Sequence, residues 1–225
     1  GYDSVMKGMP VNISDLETGI VNTRFSWKNR NLIRFEEDPQ YYTLFEYDHS
    51  GLRTKKTIIN NYAGGTIDHY YRYSGSMIIE EYVEDDLKGD TYLINYFYDQ
   101  NGLLYGFKYN NANYYYVRNC LGTIIGIVNS SNQLVCEYKY DAYGNHVVLD
   151  ANRNENTNAS FIGNINPYRY KGYYYDVETS LYYLNSRYYS PELCRFISPD
   201  DVEYLDLESV NGLNLYCYCF NNPIM

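Results

Sequence analysis

Tyr47-Asp48-His49-Ser50-Gly51-Leu52 carries the pattern from which the fold can be built up. An aromatic residue closes an apolar alternation, Asp follows it, two spacers come next, and a glycine precedes a leucine. Asp accepts hydrogen bonds from backbone amides two residues on, and glycine takes positive φ without a Cβ penalty. The six residues therefore read as a tight turn entered from a strand. The unit recurs as Trp27-Lys28-Asn29-Arg30-Asn31-Leu32, Tyr98-Asp99-Gln100-Asn101-Gly102-Leu103 and Tyr140-Asp141-Ala142-Tyr143-Gly144-Asn145. Weaker copies are Tyr73-Ser74-Gly75-Ser76 and Asn119-Cys120-Leu121-Gly122-Thr123. The turn positions are then Asn31, Gly51, Gly75, Gly102, Gly122 and Gly144, spaced by 20, 24, 27, 20 and 22 residues. Two strands of ordinary length and two turns use about that many residues, so the period predicts one hairpin per repeat.

Aromatics alternate before the turns: Phe45-x-Tyr47, Tyr71-x-Tyr73, Tyr96-x-Tyr98, Tyr114-x-Tyr116 and Tyr138-x-Tyr140. Alternation places each pair on one face of its strand, and neighbouring hairpins would stack the pairs into a ladder that serves as the core of a sheet. Composition agrees: 32 of the 225 residues are Tyr and 26 are Asn, against 5 Ala, which disfavours helices and suits strands and turns. The fold class is therefore all-β, a strip of antiparallel β-hairpins, with short helical or irregular segments near the C-terminus. The polar stretch 151–166 breaks the rhythm and reads as a long loop.

A net charge of −10 argues against a nucleic-acid partner, which needs clustered Lys and Arg. The acidic run Glu80-Glu81-Tyr82-Val83-Glu84-Asp85-Asp86 reads as a solvated loop or edge. The longest apolar stretch, Thr123 to Val128, is far too short to span a bilayer, and no signal-peptide pattern opens the sequence. Five cysteines, Cys120, Cys136, Cys194, Cys217 and Cys219, form no disulfide framework or zinc spacing and are expected to be buried free thiols. His49, His69 and His146 sit in no nucleophile or metal signature, so neither a metal nor a cofactor is expected.

The tail carries a denser pattern. Tyr168-x-Tyr170 and Tyr173-x-Tyr175 look like a last repeat, Asp176 to Ser180 a turn, and Leu181 to Tyr189 its return strand. Tyr168 to Gly172, Tyr174 to Asp176, Glu178-Thr179, Leu181-Tyr182-Tyr183, Arg187-Tyr188-Tyr189, Pro191-Glu192, Arg195-Phe196-Ile197, Ser198-Pro199-Asp200 and Asn214 to Pro223, including Asn222, closely resemble the Rhs-associated core domain. The repeats before it resemble the Tyr-Asp (YD) repeats of Rhs proteins, toxin-complex C subunits and teneurins. The resemblance implies a YD-repeat strip over 1–150, the polar loop over 151–166 and a core domain over 167–225.

In that family the strip spirals into a hollow shell, plugged by the core domain, around a variable C-terminal toxin. The core domain releases the toxin by its own aspartyl-type cleavage. Arg195 and Asp200 fall where the family has residues near the cleavage site and are the candidates for supporting groups. The family's D-P-x-G-like motif follows Asn-Asn-Pro; this sequence stops at Met225, so self-cleavage by the chain alone is not expected and the chain is not expected to act as an enzyme. Ser180 and Cys194 stand where glycine is usual, and Ser190 where Asp is usual, which bears on the tightness of the turns. At 225 residues the chain is expected to be the C-terminal portion of a longer shell, secreted or at the cell surface. Its implied partners are the rest of the shell, the enclosed toxin, and immunity or secretion-system proteins. The alternatives are a carbohydrate-binding repeat module and a remnant of the autoproteolytic domain.

Overall fold

A computed structural model gives the structure and describes residues 9–14, 21–200 and 214–223. Among these, thirteen strands follow one another in chain order across one antiparallel sheet, the long sheet. Its first six are β1 (Asn12–Ser14), β2 (Val21–Lys28), β3 (Asn31–Asp38), β4 (Tyr41–Tyr47), β5 (Arg53–Asn60) and β6 (Gly65–Ser74). The next seven are β7 (Met77–Asp85), β8 (Asp90–Tyr98), β9 (Leu104–Tyr109), β10 (Ala112–Arg118), β11 (Ile124–Asn129), β12 (Leu134–Tyr140) and β13 (His146–Asp150). Every link is local, as a turn in each repeat demands.

Six loops share one pattern of hydrogen bonds. Asp48, Asp99, Asn119, Asn129, Asp141 and Asp150 each accept, through Oδ1, the amides two and four residues on, at 2.8–3.1 Å. The residue three on is left-handed: Gly51 at φ 85°, Gly102 at 78°, Gly122 at 80°, Asn132 at 58°, Gly144 at 97° and Arg153 at 65°. Sequence reading misses the copies at Asn129 and Asp150 because Asn132 and Arg153 replace glycine. Gly75, at φ 60°, lies in a two-residue turn between β6 and β7. Asn31 is not a turn residue. The left-handed pair is Asn29 and Arg30, and Asn31 opens β3 opposite Lys28. The unit there has Lys28 in place of Asp, so no carboxylate organises the longer loop and the two-residue turn closes instead.

Beyond the turns the register slips by one residue. Tyr47 pairs with Arg53 while Glu46 pairs with Lys55, leaving Thr54 as a bulge. Similar shifts occur at Tyr73–Ile78, Tyr98–Leu104 and Arg118–Ile124. A side chain of the following hairpin then takes the carbonyl of the residue after the turn. Tyr47 donates its hydroxyl to the Leu32 carbonyl at 2.7 Å, Tyr73 to Arg53 at 2.9 Å, Tyr98 to Ile78 at 2.8 Å and Tyr140 to Ile124 at 2.7 Å. The repeating Tyr therefore packs its ring into the core and ties its hairpin to the one before it.

A short sheet, β14 (Tyr174–Asp176), β15 (Leu181–Leu184), β16 (Arg187–Ser190) and β17 (Arg195–Phe196), covers the ring-bearing face of the long one. Phe45, Tyr71, Tyr96 and Tyr138 of the long sheet share one core with Tyr168, Tyr174, Tyr183 and Tyr188. A second cluster joins Tyr170, Tyr182, Tyr189, Phe196 and Tyr218.

Several expectations are corrected. The run Glu80 to Asp86 is no solvated edge: most of it lies in β7, inside the long sheet, with Glu81 and Asp85 buried beside Val83. Strand alternation turns these three residues to the core face; His69, Tyr96 and Tyr174 on other strands meet Glu81, and Lys88 in the turn after β7 pairs with Asp85 at 2.9 Å. Leu181 to Tyr189 is two strands, split at Asn185, whose φ is 58°. The stretch 151–166 is not loop throughout, since it ends in one helical turn, α1 (Ile162–Ile165), with Ile162 and Asn166 buried. Of the cysteines only Cys136 is buried; Cys120 is exposed on a turn and the other three are half-buried. Ser180 and Cys194 take φ of 56° and 55°, so both turns persist without glycine.

Candidate functional site at the junction of the two sheets

The bulge at Thr54 turns both Arg53 and Lys56 to the core face despite their odd separation. Buried cations need specific partners. Arg53, with no exposed surface, donates from Nη1 to Asp176 Oδ2 at 2.5 Å and to the Tyr188 hydroxyl at 3.3 Å. Its backbone amide donates to the Tyr183 hydroxyl at 3.0 Å. Lys56 Nζ donates to Asp176 Oδ1 at 2.9 Å and lies 2.9 Å from Glu178 Oε1. Burial pushes the Asp176 carboxyl up in pKa, and the two adjacent cations more than offset it, holding it below the usual range. Burial pulls Arg53 and Lys56 down, and Asp176 raises both well above their ordinary values.

A directed chain of hydrogen bonds continues from this seam. Arg53 Nη2 donates to the Tyr71 hydroxyl at 3.3 Å, Tyr71 lies 3.1 Å from the Tyr174 hydroxyl, and Tyr174 donates to Glu81 Oε1 at 2.7 Å. Tyr96 donates to Glu81 Oε2 at 2.6 Å, and His69 Nδ1 lies 2.6 Å from Oε1. Burial raises the Glu81 carboxyl, and the His69 and Tyr96 contacts together with the Lys56 charge bring it below the usual range. The arrangement locks three carboxylates, a cation pair and five tyrosines across two sheets. It holds the sheets together and offers no exposed nucleophile.

Of the signature residues, Asp176, Tyr174, Tyr183 and Tyr188 enter this seam, whereas Tyr182 donates to the Gly144 carbonyl at 2.9 Å and Tyr189 to Tyr143 at 2.7 Å. Leu181, Pro191 and Phe196 are buried, Pro223 is buried, and Asn222 is exposed. Arg195 and Asp200 have separate partners. Arg195 is exposed and stacks 4.5 Å from the Tyr216 ring centroid. Asp200 pairs with Arg187 at 2.7 Å, and Arg30 donates to the carbonyls of Pro199 and Asp200 at 3.1 Å each. Sequence reading missed Arg53, Lys56 and Glu81. The signal present was Arg53-x-x-Lys56 just after a repeat turn, unusual for a core-facing strand.

His146 is a second buried group at the junction. Arg169 Nη1 donates to its Nε2, so the ring is neutral with the proton on Nδ1, which lies 3.3 Å from the Tyr182 hydroxyl. Burial, then the Arg169 charge, lowers its pKa to about 3. Among the described residues no group of three or more His, Cys, Asp or Glu is placed to hold a metal, and no helix is long and apolar enough to cross a membrane.

The sequence matches the family model described as teneurin YD-shell over residues 19–224. The chain belongs to the teneurin YD-shell family. As a YD-shell chain it is 36% identical over 189 residues to the tRNA nuclease WapA of Bacillus subtilis strain 168, which covers 84% of this chain and 7% of that protein. The tRNA3(Ser)-specific nuclease WapA of Bacillus spizizenii is 35% identical over the same shares. The structure of the Photorhabdus luminescens Tc holotoxin pore with a TccC3 variant superposes at a TM-score of 0.74 and 20% identity, over 99% of this chain and 10% of that one. The TcdB2-TccC3 crystal structure gives 0.68 and 22%, over 92% and 10%. The YD-shell chain thus spans about a tenth or less of the lengths of these relatives.

Proposed function

We propose that this chain is one part of the wall of a YD shell, with residues 1–150 as wall and 167–225 as the core domain that seals it, and that the shell encloses a toxin made by the same gene. The observation that carries this reading is the seam. Arg53 and Lys56 of the wall meet Asp176 and Glu178 of the core domain with essentially no exposed surface, which suits a wall that must stay closed around a cargo. The mechanism is exclusion, and the nuclease activity for which the WapA relatives are named would reside outside the share matched by this chain. The parent would act outside the producing cell, with the remainder of the shell as its first partner and immunity or secretion-system proteins as further ones. Arg195 and Asp200 are proposed to support toxin release in the parent. The carbohydrate reading is not favoured, because the ladder rings face the core.

Electron cryo-microscopy of the full gene product tests the shell. The expected result is a closed chamber with this chain in its wall, and an open strip of hairpins would overturn the reading. For Asp200, the full gene product carrying Asp200→Asn is expected to remain in one piece where the natural one is clipped; clipping at the natural rate would remove Asp200 from the reaction.

A further inference from the structure

The tyrosine rule of the long sheet has an exception. Where other hairpins carry Tyr47, Tyr73, Tyr98 and Tyr140, β10 carries Arg118. Its Nη2 takes the equivalent carbonyl, Leu104, at 2.7 Å, and its Nη1 takes the Gly122 carbonyl at 2.6 Å. Both acceptors are neutral, and the buried Nε–H has no acceptor. Burial lowers the Arg118 pKa, as expected of a cation without a counter-charge.

Arg118 lines a pocket of about 440 Å³ between the turns at Ser76 and Gly102 and the short sheet. Lys171 lines it too. Lys171 is held at φ 49°, a strained conformation for a residue with a side chain, and its Nζ lies near the Tyr170 and Tyr218 rings and 3.8 Å from Cys219 Sγ. Neither cation has a carboxylate within 4 Å among the described residues. Gly172 keeps space beside the guanidinium, because a Cβ there would come 3.0 Å from Arg118 Nη1. The rest of the lining is largely Tyr, Leu and Met side chains, and none of it is Asp or Glu. Arg118 and Lys171 thus border one pocket in a chain of net charge −10, with the Lys171 ammonium now resting on the Tyr170 and Tyr218 rings just outside the lining and able to turn into it.

We propose that this pocket binds the carboxylate of an acidic peptide segment, its charge set against Arg118 and Lys171 and its apolar stem against the tyrosine rings. A guanidinium matches a carboxylate in charge and plane, and ring walls suit an apolar stem better than a fully hydrated inorganic anion. The site does not depend on the shell reading.

The test is calorimetric titration of the full 225-residue chain at constant ionic strength, with acetyl-glutamate amide, acetyl-glutamine amide and inorganic phosphate as probes. Arg118→Tyr restores the residue that the other hairpins use and so preserves the carbonyl cap; Lys171→Gln is the second variant. Saturable binding of the glutamate probe is expected, with the glutamine probe and phosphate each at least about tenfold weaker and the glutamate affinity lowered at least about tenfold in either variant. Equal binding of both peptides, tighter binding of phosphate, or Arg118→Tyr titrating like the natural chain would overturn the proposal.

Discussion

The long and short sheets are both built on tyrosine, yet they use it differently. In the long sheet each repeating hydroxyl meets a backbone carbonyl 15 to 20 residues earlier, so the contact is repeated and local. In the short sheet Tyr174, Tyr183 and Tyr188 meet side chains or backbone more than 90 residues away, within a buried ionic cluster. A residue type thus builds a repeating strip when its partners are main-chain atoms, present in every hairpin. It builds a single specific junction when its partners are unique charged side chains.

Breaking the junction should have the largest effect. Asp176→Ala leaves Arg53 and Lys56 buried beside a lost counter-charge and is expected to cost about 3–5 kcal/mol, read as a lower urea midpoint. Arg53→Met combined with Asp176→Leu should recover much of that loss, because the orphaned charge goes with its partner. Acid should act at the same junction. His146 has a folded pKa of about 3 against an ordinary 6.5, so the unfolded chain takes up a proton that the folded chain refuses. Its contribution is present above pH 6.5 and is lost as pH falls toward 3; His146→Gln should flatten the fall in melting temperature over that window.

Changes in the repeat should cost less and act locally. Gly51→Ala forces a Cβ into φ 85° and is expected to cost about 1–2 kcal/mol. Tyr73→Phe keeps the ring and removes the bond to the Arg53 carbonyl, for about 1 kcal/mol by chemical denaturation. Smallest of all, Ser180→Gly should raise stability by about 0.5–1 kcal/mol by relieving a left-handed serine.

These differences also mark what a sequence discloses. The turns at Asp48, Asp99 and Asp141 were legible because donor and acceptor lie within five residues. The turn at Asn29-Arg30 reads one residue late in the sequence, at Asn31, because its closure depends on the pairing of β2 with β3 rather than on an Asp. Glu81 read as solvated because its compensating partners, His69, Tyr96 and Tyr174, are distant in the chain. The signature residues of the tail were visible as a pattern, but what Asp176 touches was not, since Arg53 lies 123 residues before it.

Hydrogen exchange on the full chain carrying Asp176→Ala shows whether two differently held sheets meet at one ionic junction. Amides of β14 to β16 should exchange about a hundredfold or more faster than in the natural chain, while those of β11 to β13 change by less than about tenfold. Equal acceleration in both sheets would contradict the account, because it would make them a single cooperative unit with no distinct junction.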